Sequence, residues 1–67
     1  MYHLERENQK DEQYFTLSQA GLTALKTLSK SEKIEGKLYA VIFNSDRTQQ
    51  YRLYWKNNSP TWENTII

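Results

Sequence analysis

The chain has no cysteine, so neither a disulfide nor a thiolate metal site can support it. Histidine occurs once, at His3, and a zinc site would have to rest on carboxylates. Glycine occurs only at Gly21 and Gly36, too far apart for a phosphate-cradling loop. Charge is nearly balanced, nine Lys+Arg against eight Asp+Glu for a net +1, which argues against a strongly electrostatic nucleic-acid binder. The longest apolar run, Leu38 to Phe43, is far too short to span a membrane. The opening MYHLERENQK lacks the apolar segment of a secretory signal. Asn57-Asn58-Ser59 matches a glycosylation sequon, but Pro60 follows it and no such signal precedes it. These absences predict a cytoplasmic protein with no cofactor and no membrane partner.

Catalytic arrangements are missing too. No serine stands in a nucleophile-elbow context, and His3 lies near the terminus without a partner to activate. Glu5, Glu7, Asp11 and Glu12 are close in sequence, but interleaved Arg6 and Lys10 make them a solvated turn. The expectation is a non-enzyme with no small-molecule substrate.

With 67 residues the chain allows a single small domain, 1–67, in which 1–12 could form a mobile arm. A domain of about 60 residues buries only about 60% of its unfolded surface, so its core must be modest. The organising stretch is Thr16 to Lys30, TLSQAGLTALKTLSK, which alone has helical periodicity. Leu17, Ala20, Gly21, Ala24, Leu25 and Leu28 form one stripe, and Gln19, Thr23, Lys26 and Lys30 the opposite face. Leu22 falls at the edge of the stripe. Two caps compete, Thr16 and Ser18, and Ser18 is favoured because it keeps Gly21 in the first turn. The small centre of the stripe suits close approach to a sheet.

Strand signals surround this helix. Tyr2-His3-Leu4-Glu5-Arg6 alternates, a polar turn follows at Asn8 to Asp11, and Gln13 to Thr16 returns, which predicts an N-terminal hairpin. Ser31 to Lys37 is a charged connection. Leu38 to Phe43 reads as a strand apolar on both faces, Asn44 to Thr48 as a turn, and Gln49 to Lys56 as an alternating strand. Asn57 to Pro60 is a further turn, and Thr61 to Ile67 a last strand with Trp62 and Ile66 inward. The prediction is an α+β fold: a small antiparallel sheet in ββαββ(β) order, with one helix packed on one face. An even loop between Leu38–Phe43 and Gln49–Lys56 groups Leu38, Ala40 and Ile42 with Tyr51, Leu53 and Trp55. Tyr39, Val41 and Phe43 then share the other face with Arg52, Tyr54 and Lys56.

Tyr14-Phe15-Thr16-Leu17-Ser18-Gln19-Ala20-Gly21-Leu22, with Leu25 and Leu28, resembles the YxLTxxGxxxLxxL stretch of winged-helix transcription regulators. There a strand end leads into a closing helix. The resemblance covers about 15 residues of a motif of low specificity. The rest departs from that family, since no helix pair precedes the stretch, and the family is not adopted.

Five Tyr and two Trp exceed what one helix can cover, and Tyr, Trp and Arg are common interface anchors. Two functions follow. The first is a small non-catalytic protein-binding module, a regulator, inhibitor or accessory subunit, that binds another protein or self-associates as a homodimer. Its candidate residues are Tyr39, Phe43, Arg52, Tyr54, Lys56 and Trp62. The second, weaker, is a single-stranded nucleic-acid binder that stacks bases on the same aromatic and basic face.

Overall fold

The computed structural model describes residues 1–7 and 9–67. In chain order the elements are β1 (Tyr2–Glu5), β2 (Glu12–Tyr14), α1 (Leu17–Lys26), a 3₁₀ turn (Lys30–Glu32), β3 (Lys37–Phe43), β4 (Gln49–Lys56) and β5 (Ser59–Ile66). The strands form one antiparallel sheet in the order β2-β1-β3-β4-β5. The N-terminal hairpin is present, with Tyr2 opposite Tyr14 and Leu4 opposite Glu12. Of its expected turn, Asn8 lies outside the described residues. No helix among the described residues is long and apolar enough to cross a membrane.

Thr16, not Ser18, caps α1: its hydroxyl accepts from the Gln19 amide at 3.1 Å. Gly21 therefore sits inside the helix, where it costs up to about 1 kcal/mol relative to Ala. The helix also ends earlier than its apolar periodicity predicts, at Lys26, which leaves Leu28 beyond it and half-buried. The cause is local. The Thr27 hydroxyl donates back to the Thr23 carbonyl at 2.8 Å. Just beyond, the Ser29 amide and hydroxyl both donate to the Glu32 carboxylate, at 3.0 and 2.7 Å, capping the 3₁₀ turn instead.

Ala20 and Ala24 on α1 are buried against Leu4, Ala40, Ile42 and Leu53 of the sheet. Small helix residues against branched sheet residues let the two backbones approach closely, as the stripe implied. Tyr2, Tyr14, Leu17, Tyr39 and Tyr51 close the rim of this core. The helix lies mainly over β1, β2 and β3 and meets the β4–β5 hairpin only through the side chains of Leu53 and Trp62. One ten-residue helix is only about 15 Å long and cannot roof a five-stranded sheet.

The β3–β4 loop is even. Phe43 opposes Gln50, the Asn44 amide donates to the Gln49 carbonyl at 3.3 Å, and Ser45–Thr48 closes the turn with Arg47 at φ 58°. Ile42 opposes Tyr51 and Ala40 opposes Leu53, as the even register requires. A bulge between Leu38 and Ala40 then breaks the alternation, so Leu38 opposes Tyr54. The β4–β5 turn is tighter than expected. Asn57 and Asn58, at φ 51° and 58°, make a two-residue hairpin turn, and β5 begins at Ser59 rather than Thr61.

Candidate functional site

The register sorts side chains onto two faces. Leu4, Ala40, Ile42, Leu53 and Trp62 share the helix side. Strand alternation puts Val41, Phe43, Arg52 and Tyr54 on the opposite side, with Lys56 beyond Tyr54. No helix covers that second side among the described residues, and the N-terminal hairpin extends the sheet edgewise rather than folding across it. Val41, Phe43, Arg52 and Tyr54 are each half-buried and Leu38 is exposed. They form an open apolar strip with cationic groups along it.

Of the residues the sequence nominated, Phe43, Arg52, Tyr54 and Lys56 come together here. Tyr39 and Trp62 do not. In a bulge two residues of one strand oppose a single residue of its neighbour, and Tyr39 is the extra one. Its ring turns to the helix side, packs at the rim of the core, and lines a groove with Gly21, Leu22, Leu25, Pro60 and Trp62. Burial holds its phenol above the ordinary tyrosine range. Trp62 points inward as its strand pattern implied and its indole meets α1 at Gly21, yet it stays 44% exposed because α1 lies mainly over β1 to β3.

Electrostatics tune the open face. The Lys56 ammonium lies 5.0 Å from the Tyr54 ring centroid, and the Arg47 guanidinium 4.7 Å from that of Phe43. Arg47 also donates to Glu5 at 2.8 Å and lies 3.5 Å from Asp11. Arg52 lies 3.9 Å from Glu63. Sequence reasoning missed Arg47 as a site residue. Its left-handed backbone in the loop, which no pattern marks, swings its side chain back over Phe43.

β1 ends at Glu5, opposite Val41, so the first half of β3 has no neighbour on that side. A recess of about 410 Å³ opens there, lined by Arg6, Leu28, Leu38, Val41 and Phe43 among others. It adjoins the apolar strip, but more than half of its lining is polar or charged, with Glu5, Glu7, Glu32 and Lys37 beside Arg6. Arg6 forms its wall, and its guanidinium donates to the Glu12 carboxylate and the Thr27 hydroxyl.

No protein family, curated protein or solved structure matches this chain.

Proposed function

We propose that the protein is a small non-catalytic binding module of the cytoplasm that recognises another protein through its open sheet face. One observation carries this reading: the strip of Leu38, Val41, Phe43 and Tyr54 lies on a face that no helix covers among the described residues and adjoins a recess of mixed apolar and charged lining. A contiguous, partly exposed apolar strip on a small domain marks a contact site. The partner surface that fits is apolar at its centre, with a side chain for the recess and a carboxylate at the rim to meet Lys56. Nucleic acid fits less well. Arg47 is held by Glu5 and Asp11, and Arg52 faces Glu63, so phosphates would compete with built-in anions.

The test uses the intact chain as bait, then affinity measured against the purified partner it retains. Tyr54→Ala should weaken binding by about 1–2 kcal/mol or more while the circular dichroism spectrum stays unchanged. Arg52→Glu should weaken it further. Binding should persist at about 0.5 M salt, where a phosphate-driven complex falls apart. Tyr54→Ala, Phe43→Ala and Arg52→Glu all binding like the parent would sink the reading. Retention of single-stranded oligonucleotides with a steep salt dependence would replace it with the nucleic-acid alternative.

A further inference from the structure

The two edges of the sheet are unlike. The β2 edge is three residues long and is preceded by the charged Lys10 and Asp11. The β5 edge is eight residues long, and its single charged residue is Glu63. Natural sheets protect free edges with charge, proline, brevity or covering segments; on β5 only Pro60 and Glu63 do so, and Asn64 to Ile66 carry none.

Which backbone groups β5 leaves free follows from its pairing with β4. The Ile67 amide donates to the Thr48 carbonyl at 2.9 Å, so that pair is of the hydrogen-bonded kind. Hydrogen-bonded and non-hydrogen-bonded pairs alternate along an antiparallel ladder. Thr65 with Gln50, Glu63 with Arg52, Thr61 with Tyr54 and Ser59 with Lys56 are therefore bonded pairs as well. The amides and carbonyls of Trp62, Asn64 and Ile66 point away from β4. So does the position of Pro60, whose missing N–H costs the β4 ladder nothing. The side chains of these outward residues lie on the helix side, where Trp62 is 44% and Ile66 78% exposed.

We propose that β5 pairs antiparallel with β5 of a second copy of this chain, about a two-fold axis at Asn64. Two-fold registers centred on Trp62, Glu63, Asn64 or Thr65 would use the outward groups; the last pairs only Asn64 with Ile66 and leaves Trp62 outside the paired stretch. Centring on Trp62 sets Pro60 against Asn64 and loses a donor at each end. Centring on Glu63 puts two carboxylates face to face and leaves Pro60 opposite Ile66. Centring on Asn64 avoids both: Trp62 meets Ile66 of the other copy twice, and Glu63 lies opposite Thr65. The strand is thus most fully self-complementary in the Asn64 register. The most exposed aliphatic side chain of the edge comes to rest beside its most exposed aromatic one. Leu22, 57% exposed, and the groove of about 360 Å³ between α1 and Pro60 flank that contact. The two sheets join into one, and a net charge of +1 per chain opposes this little.

This interface lies at the edge and on the helix side, so it stands or falls separately from the open face carrying Tyr54. Sedimentation equilibrium of the intact chain should show a concentration-dependent dimer. Ile66→Lys, at an exposed position, should weaken it by about tenfold or more. Asn64→Pro removes an outward donor without touching the β4 ladder and should do the same, with unchanged circular dichroism. Tyr54→Ala should leave it unaffected. Because the chain lacks cysteine, single cysteines report the register. Asn64→Cys should oxidise readily to a disulfide-linked dimer, since opposed residues of a bonded pair have Cα atoms about 5.5 Å apart. Ile66→Cys should not, its two copies being roughly 13 Å apart along the strands. A chain that remains monomeric at about 1 mM overturns the proposal. So does a dimer indifferent to both Ile66→Lys and Asn64→Pro, or one that cross-links through Trp62→Cys or Glu63→Cys in place of Asn64→Cys.

Discussion

The indole of Trp62 lies directly over Gly21: a β-carbon added there would fall 2.4 Å from Trp62 Cζ2 and 2.5 Å from Cη2. This contact joins the helix to the outermost strand, which α1 otherwise does not cover. It also explains a glycine in mid-helix, where propensity alone would favour alanine. We expect Gly21→Ala to destabilise by about 1 kcal/mol, because displacing the indole outweighs the helix-propensity gain of up to about 1 kcal/mol. In a Trp62→Ala background the same substitution should stabilise. A double-mutant cycle by urea denaturation checks the change of sign. Gly21→Ala effects of equal sign and size in both backgrounds would refute the contact.

Much of the fold was legible because it is written in short-range patterns. Alternation at Tyr2–Glu5 and Gln49–Lys56 marks strands, and the Leu17–Leu25 stripe marks a helix that rests on alanines. What was not legible depends on competition or on distance. Leu28 obeys the helical period, yet the Ser29–Glu32 cap wins that segment. The bulge at Tyr39 has no sequence mark. It turned one of six nominated site residues to the wrong face while Phe43, Arg52, Tyr54 and Lys56 came together as read. Trp62 was read as inward, but its exposure follows from helix length against sheet width, a relation between elements far apart in sequence.

Core truncations should rank by burial. Leu4, Ile42 and Leu53 are fully buried. Each, changed to Ala, should cost about 2–5 kcal/mol, enough to unfold much of so small a domain. Leu28→Ala, beyond the helix and half-buried, should cost about 1 kcal/mol. Thermal melts of the four variants test the order. Leu28→Ala proving as damaging as Leu4→Ala would mean the helix runs past Lys26.

Acid should loosen the N-terminal hairpin through Glu12. The Tyr14 hydroxyl donates to its carboxylate at 2.6 Å and the Arg6 guanidinium donates to its other oxygen. Both favour the charged form, the tyrosine bond most, and hold Glu12 below the ordinary carboxylate range. A folded-state value below the unfolded one gives stability that is full above the unfolded value. That stability is lost as pH falls through the folded value. Glu12→Gln should therefore melt below the parent at about pH 7, and the two should converge on the acid side of the usual carboxylate range. A gap of constant size down to about pH 2 would show that Glu12 acts by packing alone.

The Asn57–Asn58 turn can be improved. Both residues have positive φ, which costs a side chain something and glycine nothing. In a two-residue hairpin of this hand the favoured pair is Asn-Gly. Asn58→Gly should raise stability by about 0.5–1 kcal/mol, and Asn58→Val should lower it by at least as much. Chemical denaturation measures both. A neutral Asn58→Val would mean the turn does not hold these backbone angles.

The bulge makes the sharpest separation between fold and function, because it places two tyrosines of adjacent strands on opposite faces. Tyr39 is on the helix side, at the rim of the core, with a phenol that burial pushes above the ordinary range. Tyr54 is on the open face beneath the Lys56 ammonium. Tyr39→Ala should cost about 2–4 kcal/mol by emptying the groove beside Leu25 and Trp62. Tyr54→Ala should cost less than about 1 kcal/mol. Their effects on partner binding should run the other way: Tyr39→Phe should bind like the parent, and Tyr54→Ala should not. Ultraviolet titration gives an independent check: Tyr39→Phe should remove part of the tyrosinate absorbance that rises above the ordinary range, the rest belonging to Tyr14, whose bond to the Glu12 carboxylate raises it as well. Without the bulge, simple alternation would put Tyr39 beside Tyr54 on the open face. Tyr39→Ala would then spare the fold and weaken the partner, and that pair of results would return Tyr39 to the binding surface where its place in the strand pattern first put it.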